Sequence, residues 1–338
     1  MIGPHAAAGD WKQTITVMEG LKNAGLNIVY AKGANITDDS LLVKRLNNDG
    51  GGIKIENESP QQLIDEAVTT ASKADIIVAV VGESQGMSGE AASRSNIGLP
   101  ESQENLLKAL AATGKPLVLV LMNGRPLTLE WENDHANAIV EAWFAGTEAG
   151  NAVADVLLGN YNPSGKLTVS FPYNAGQIPI YYNHKNTGRP YKGDVLFKYA
   201  SRYLDVSNDP LYPFGYGLSY TNFNYGDIKL SSTSLKGNQT LTASVTVTNS
   251  GTVAGKETVQ LYIRDMVGSI TRPVKELKGF QKIDLQAGET KNVSFNITPE
   301  DLKFYNGDLK YDWEAGEFEI MIGTNSSNVK KGKINWVK

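Results

Sequence analysis

The chain has 338 residues, enough for two domains each with its own core, and its 41% apolar and 20% charged content is that of an ordinary globular protein. A formal charge of −4 leaves no basic excess, and no Lys/Arg-rich amphipathic run is present, so neither nucleic acid nor a membrane surface is an expected partner. Cysteine is absent, which excludes disulfides, thiolate catalysis and Cys-ligated metals; His5, His135 and His184 show no ligand spacing, so no metal and no cofactor are expected.

No apolar stretch approaches the roughly 20 residues that cross a bilayer. The opening Met1-Ile2-Gly3-Pro4 has the character of a strand's tail entering a turn, with no signal peptide ahead of it, and the chain is expected to begin inside a larger protein. Apolar spacing at Ile15, Val17, Met18 and Leu21 predicts a helix over 11–22, followed by a short strand over 26–30. Leu63, Ile64 and Ala67 share one face of a helix over 60–74, and a continuous apolar run predicts a buried strand over 75–81. Leu106, Leu107 and Leu110 stripe a helix over 101–112. Strands follow over 116–122 and 138–143, then a helix over 148–158 closed by Gly159, then a last strand over 167–171. Continuous apolar strands interleaved with helices imply a mostly parallel sheet covered on both faces.

From 172 to about 221 the periodicity breaks down among prolines and tyrosines; the composition is too aromatic for a flexible linker and implies an ordered connector. Beyond 227 the pattern alternates strictly in 241–248, 257–263, 291–297 and 317–322, with turn signals between the runs. This spacing predicts a β-sandwich of about seven strands. The domain boundaries are therefore placed at 1–172 for the α/β sandwich, 173–226 for the connector and 227–338 for the all-β sandwich.

The segment VGESQGMSGEAASR (81–94) follows a buried strand with a Gly-rich loop, two carboxylates and a guanidinium. In open α/β sheets, sites are built beyond the carboxyl ends of the strands. Glu90, between Gly89 and two alanines, suits a general acid that must reach a leaving-group oxygen. Arg94 could hold substrate or pair with a second carboxylate. The alternative for both is a solvated loop charge. Glu83 ends the strand directly and is better read as structural than catalytic. Asn123 and Arg125 follow the next buried strand and allow either a polar ligand or a capped turn with local pairing. Trp143 and Phe144 allow either stacking on a sugar or core packing. The aromatic run 212–220 allows a cleft lining, but it is better read as pinning the connector onto both domains. Asp10-Trp11 is taken as a feature of its own turn. The loop thus offers one candidate acid, and no convincing second catalytic group is evident in the sequence.

The segments 81–94, KPLVLVLMNGRPL (115–127), WFAGTEAGNAVADVLLGNYNPSGKLTVSFP (143–172), NTGRPY (186–191), YPFGYGLSY (212–220) and RPVKELKGFQKI (272–283) together resemble the C-terminal part of family 3 glycoside hydrolases of the bacterial periplasmic β-glucosidase type. The resemblance covers essentially the whole chain. It implies an α/β sandwich, a connector and a fibronectin type III-like domain. It also implies a retaining exo-β-glucosidase acting on terminal non-reducing β-D-glucosyl residues, with β-xylosidase as the alternative specificity. Glu90 maps to the acid/base of the family, with Glu83 as the second choice because the loop varies in length; Arg94, Met87 and Ser88 map to the substrate's surroundings. The family's nucleophilic Asp lies on an N-terminal β/α barrel that has no counterpart in this sequence. That barrel is an expected partner, in cis or as a separate chain, and the substrate a β-glucoside or oligosaccharide. A homodimer is left open, and a periplasmic or secreted location is implied. The competing expectation is a non-catalytic module that docks on a barrel or binds glycan. A flavodoxin-like nucleotide binder finds no support, since neither GxGxxG after the first strand nor a Walker pattern is present.

Overall fold

The computed structural model describes residues 1–338 except 2, 5–8, 49–51, 192, 194 and 195. The expected strand tail at Ile2 and the segment holding His5 thus lie partly outside the described residues. The chain forms two compact units, Met1–Tyr161 with Pro172–Ile178 and Asn162–Phe171 with Pro179–Lys338.

In the first unit, helix α1 (Val17–Asn23) starts later than its apolar spacing suggests. Thr16 Oγ1 accepts from the Glu19 N–H at 3.2 Å while the Glu19 carboxylate accepts from the Thr16 N–H at 2.8 Å. This reciprocal cap satisfies two N-terminal donors and marks the start. Upstream, Asp10 caps a short 3-10 turn over Trp11–Gln13. Helix α2 (Ser40–Asn48) was not foreseen, and it buries no side chain. Helix α3 (Pro60–Ala71) opens on a Ser59–Gln62 capping box with Pro60 in its first turn.

Strand β1 (Ile77–Gly82), helix α4 (Glu101–Ala111), strand β2 (Leu117–Met122), helix α5 (Glu130–His135), strand β3 (Ala138–Glu141) and helix α6 (Ala149–Leu157) complete the unit. The strands lie parallel in the order β1-β2-β3, with Ile77 opposite Leu117 and Val118 opposite Ala138. Central β2 is covered on both faces, so Leu119, Val120 and Leu121 are all fully buried, and this is why its sequence is apolar without alternation. Val120 and Met122 join Val17 and Leu21 of α1 and Val153 of α6 in one apolar cluster.

Two expected strands do not join this sheet. Among the described residues, 26–30 have no ladder partner, and Leu26, Val29 and Tyr30 are exposed. Residues 167–171 belong to the second unit: the Leu167 N–H donates to the Tyr216 carbonyl at 2.7 Å, and Phe171 forms an antiparallel bridge with Tyr212. In both places the apolar pattern is that of an extended segment, but the pattern does not specify the partner that makes a strand.

The second unit holds β4 (Phe223–Tyr225), β5 (Lys229–Leu230), β6 (Ser234–Lys236), β7 (Leu241–Asn249), β8 (Gly255–Asp265), β9 (Glu276–Leu285), β10 (Thr290–Ile297), a short helix α7 (Pro299–Leu302), β11 (Phe304–Tyr305), β12 (Tyr311–Asp312), β13 (Gly316–Gly323) and β14 (Val329–Val337). One sheet has the order β10-β7-β4, with β5 also on β7; the other has the order β6-β14-β13-β8-β9. Their inner faces enclose Leu241, Val245 and Val247 from one side and Ile320, Ile322 and Trp336 from the other.

The outer face of the larger sheet is also covered. Tyr262 and Met321 on that face are buried. Tyr182 of the connector stacks on Phe214 with centroids 4.2 Å apart and meets Tyr262 edge-on at 5.9 Å. Gln260 Nε2 donates to the Gly215 carbonyl at 3.1 Å. Within this unit the aromatic connector is therefore a third layer, and the run 212–220 acts as its clasp.

Candidate active site

The carboxyl ends of the three parallel strands carry Glu83, Asn123 and Glu141. Gly82 ends β1 with φ of 139°, and a Cβ there would lie 2.1 Å from the Met122 carbonyl oxygen, so only glycine lets β1 run so close to β2. The Gln103 side chain of α4 takes the place of a neighbouring strand at this edge. It accepts from the Gly82 N–H at 2.7 Å and donates to the Gly82 carbonyl at 2.9 Å. The exit of the chain from β1 is thereby fixed.

Glu83 comes next, and its side chain has 0% exposure. Arg94 Nη1 donates to Glu83 Oε1 at 2.8 Å, Arg125 Nε lies 3.0 Å from the same oxygen, and the Gly124 N–H donates to Oε2 at 3.3 Å. A buried carboxylate between two guanidiniums is compensated in charge and occupied on both oxygens. Both arginines also hold the loop itself. Arg125 Nη2 donates to the carbonyls of Met87 and Ala92, the latter at 2.7 Å, and Arg94 Nη2 donates to the Gly98 carbonyl at 3.1 Å. One ion cluster thus ties 83–98 to the turn after β2.

Glu90 stands at the crest of this loop. Ala92 N–H closes a turn onto the Gly89 carbonyl at 3.4 Å, with Glu90 and Ala91 at its centre. Gly89 and Ala91 have φ of 106° and 56°. A left-handed alanine is strained backbone, and such strain is held by surrounding structure. Glu90 is exposed, and no partner among the described residues engages its carboxylate. Met87 and Ser88, expected beside substrate, are buried under the loop, and the guanidinium of Arg94 is engaged by Glu83 and Gly98.

Glu141, at the end of β3, was not singled out from the sequence, although it ends a parallel strand just as Glu83 follows one. Its Oε1 accepts from the Trp143 N–H at 3.0 Å and its Oε2 from Asn123 Nδ2 at 3.2 Å. Burial pushes the Glu141 carboxyl up to about 7; the two hydrogen bonds oppose that rise, and the charge of Glu83 adds to it. Asn123 also donates to the Arg125 carbonyl at 2.8 Å, so it links Glu141 to the residue that holds the Glu90 loop. Asn123 and Arg125 thus pair locally. Phe144 packs near Gly124, and Trp143 is half-buried with φ of 50°. Among the described residues, no group of three or more His, Cys, Asp or Glu side chains is placed to hold a metal ion.

Fold and site together define a class: an α/β unit with a carboxylate presented on a clamped loop beyond its strand ends, joined to a β-sandwich unit. The chain belongs to glycosyl hydrolase family 3. Residues 1–220 match the model of that family's C-terminal domain, and residues 257–326 match a fibronectin type III-like domain. It is 57% identical to a periplasmic beta-glucosidase of Salmonella typhimurium over 98% of this chain and 44% of that protein. It is 40% identical to a beta-xylosidase of Formosa agariphila over 92% of this chain and 40% of that protein. Among solved structures, the beta-glucosidase of Listeria innocua in complex with glucose superposes with a TM-score of 0.85 at 38% identity, covering 98% of this chain and 43% of that one. The chain thus spans less than half the length of these relatives.

Proposed function

We propose that this chain is the acid/base-bearing part of a retaining, exo-acting β-glucosidase that releases terminal non-reducing β-D-glucosyl residues, working in the periplasm or outside the cell. The observation that carries the proposal is the contrast within one loop: Glu83 is buried and occupied, whereas Glu90 is exposed, unengaged and held on a strained turn. A proton donor has to reach a glycosidic oxygen, and of the two carboxylates in this loop Glu90 has that freedom. Arg94, Met87 and Ser88 serve recognition by shaping the loop beneath it.

In this reading, a carboxylate on a β/α barrel outside these 338 residues attacks the anomeric carbon while Glu90 protonates the departing oxygen. Glu90, now a carboxylate, takes a proton from water, the water oxygen attacks the glycosyl-enzyme, and β-glucose leaves with its configuration retained. The supporting similarity is to proteins named beta-glucosidase, at 57% identity in one case.

The test is Glu90→Ala in the protein that carries the barrel. Activity on aryl β-glucosides with poor leaving groups should fall by about 10²–10⁴-fold, good leaving groups should suffer less, and azide should restore turnover. Equal loss across leaving groups without azide rescue would remove the assignment. A second specificity is favoured by the 40% identity to a protein named beta-xylosidase; the ratio of kcat/KM for aryl glucoside and aryl xyloside in the same assay decides between the two sugars.

A further inference from the structure

Within the second unit, a cavity of about 240 Å³ lies between the connector and the outer face of the larger sheet. Its floor is formed by Arg264 on β8, Glu319 and Met321 on β13, and Lys331 on β14. Lys275 forms one wall, and the connector supplies Tyr181, His184 and Asp209. The cavity is below the roughly 300–1,000 Å³ of drug-sized sites, so its occupant is a small molecule.

The charges in this cavity are unevenly paired. Arg264 sits directly opposite Glu319 in the β8–β13 register, yet Glu319 pairs with Lys331 at 3.3 Å. Arg264 is half-buried, and its guanidinium makes no ion pair or hydrogen bond among the described residues. Lys275 is also half-buried, and its ammonium donates to the Ser326 carbonyl rather than to a carboxylate. Burial, and then the charge of Lys331, lower the pKa of Lys275, while Asp209 and Glu319 oppose the change. Arg264, Lys275 and Lys331 thus bring three cations to the cavity against the two carboxylates of Glu319 and Asp209, and cations taken partly out of water in such excess are unfavourable unless an anion completes them.

We propose that this pocket binds a small oxyanion, a carboxylate or a phosphate, between Arg264 and Lys275. The guanidinium offers a planar fork and the ammonium a point charge, a pairing suited to either group. The site is independent of the Glu90 assignment, since it lies wholly in the other unit.

The experiment measures thermal midpoint and calorimetric binding on the 338-residue chain, with inorganic phosphate, glucuronate as the carboxylate arm, and glucose as the neutral control, all at matched ionic strength in sodium chloride. Matching matters because phosphate salts also stabilise proteins by exclusion from their surface. The expected result is a saturable midpoint rise with phosphate, glucuronate or both, their order telling which oxyanion the site prefers, and none with glucose. Arg264→Gln and Lys275→Gln should each weaken binding by about tenfold. Arg264→Gln should also leave the unliganded midpoint unlowered, which a merely structural arginine would not do. If neither oxyanion gives a saturable response, or if both variants bind as the parent does, the site does not exist.

Discussion

A carboxylate with no exposure persists in a protein interior when donors occupy its oxygens and cations balance its charge. Glu83 meets both conditions through Arg94, Arg125 and the Gly124 amide. Glu83→Gln leaves two guanidiniums facing each other, at 18% and 20% side-chain exposure, without their anion. It should lower the unfolding free energy by about 3–5 kcal/mol, whereas the exposed Glu90→Gln should stay within about 0.5 kcal/mol. Urea unfolding of both variants measures this; equal effects would show that Glu83 is not the anchor. Glu141 carries a pH signature. Its folded-state pKa of about 7 lies above the ordinary 4.5, so between these values the folded chain binds a proton that the unfolded chain has lost. The stabilisation is complete below about pH 4.5 and is lost as pH rises through about 7, on the order of 3 kcal/mol in all. Glu141→Gln should flatten this part of the stability profile, as thermal melts across the pH range will show. An unchanged slope would place the titration elsewhere.

Elements differ in how far the chain alone reveals them. β1 and β2 are legible because burial on both faces demands an unbroken apolar run. β7 is legible because its single buried face imposes strict alternation, seen in its burial pattern. α2 was not legible because it buries no face against a core, and α5 is only a turn and a half long. α1 and α6 meet through glycines. A Cβ on Gly20 would lie 2.1 Å from the Gly150 carbonyl oxygen, and one on Gly150 would lie 2.0 Å from that of Thr16. In an exposed helix, Gly→Ala stabilises by about 1 kcal/mol. Here Gly20→Ala drives a methyl into backbone that no rotamer change can relieve, and it should destabilise by about 1–3 kcal/mol or more. Denaturant midpoints give the sign, and a stabilised variant would refute the close approach.

For the molecule as a whole, the division of labour is the main consequence. The chain matches less than half of its relatives' length, and its loop presents one carboxylate where retaining glycoside hydrolysis employs two. Under the proposed function the second carboxylate comes from outside these residues, and Glu90, on a loop held by Arg94 and Arg125, supplies the proton. The succession of β1, α4, β2, β3 and α6, the change from an α/β to an all-β pattern and the loop with its two carboxylates follow from the sequence alone, because periodicity and turn chemistry are local properties. The tertiary structure decided three other matters: that Glu83 anchors while Glu90 is presented, that 167–171 leaves the parallel sheet, and that the connector forms a layer over Tyr262. Each depends on partners distant in the chain, such as Arg125 for Glu83 and Tyr212 for Phe171, and apolar periodicity carries no information about which distant groups will meet.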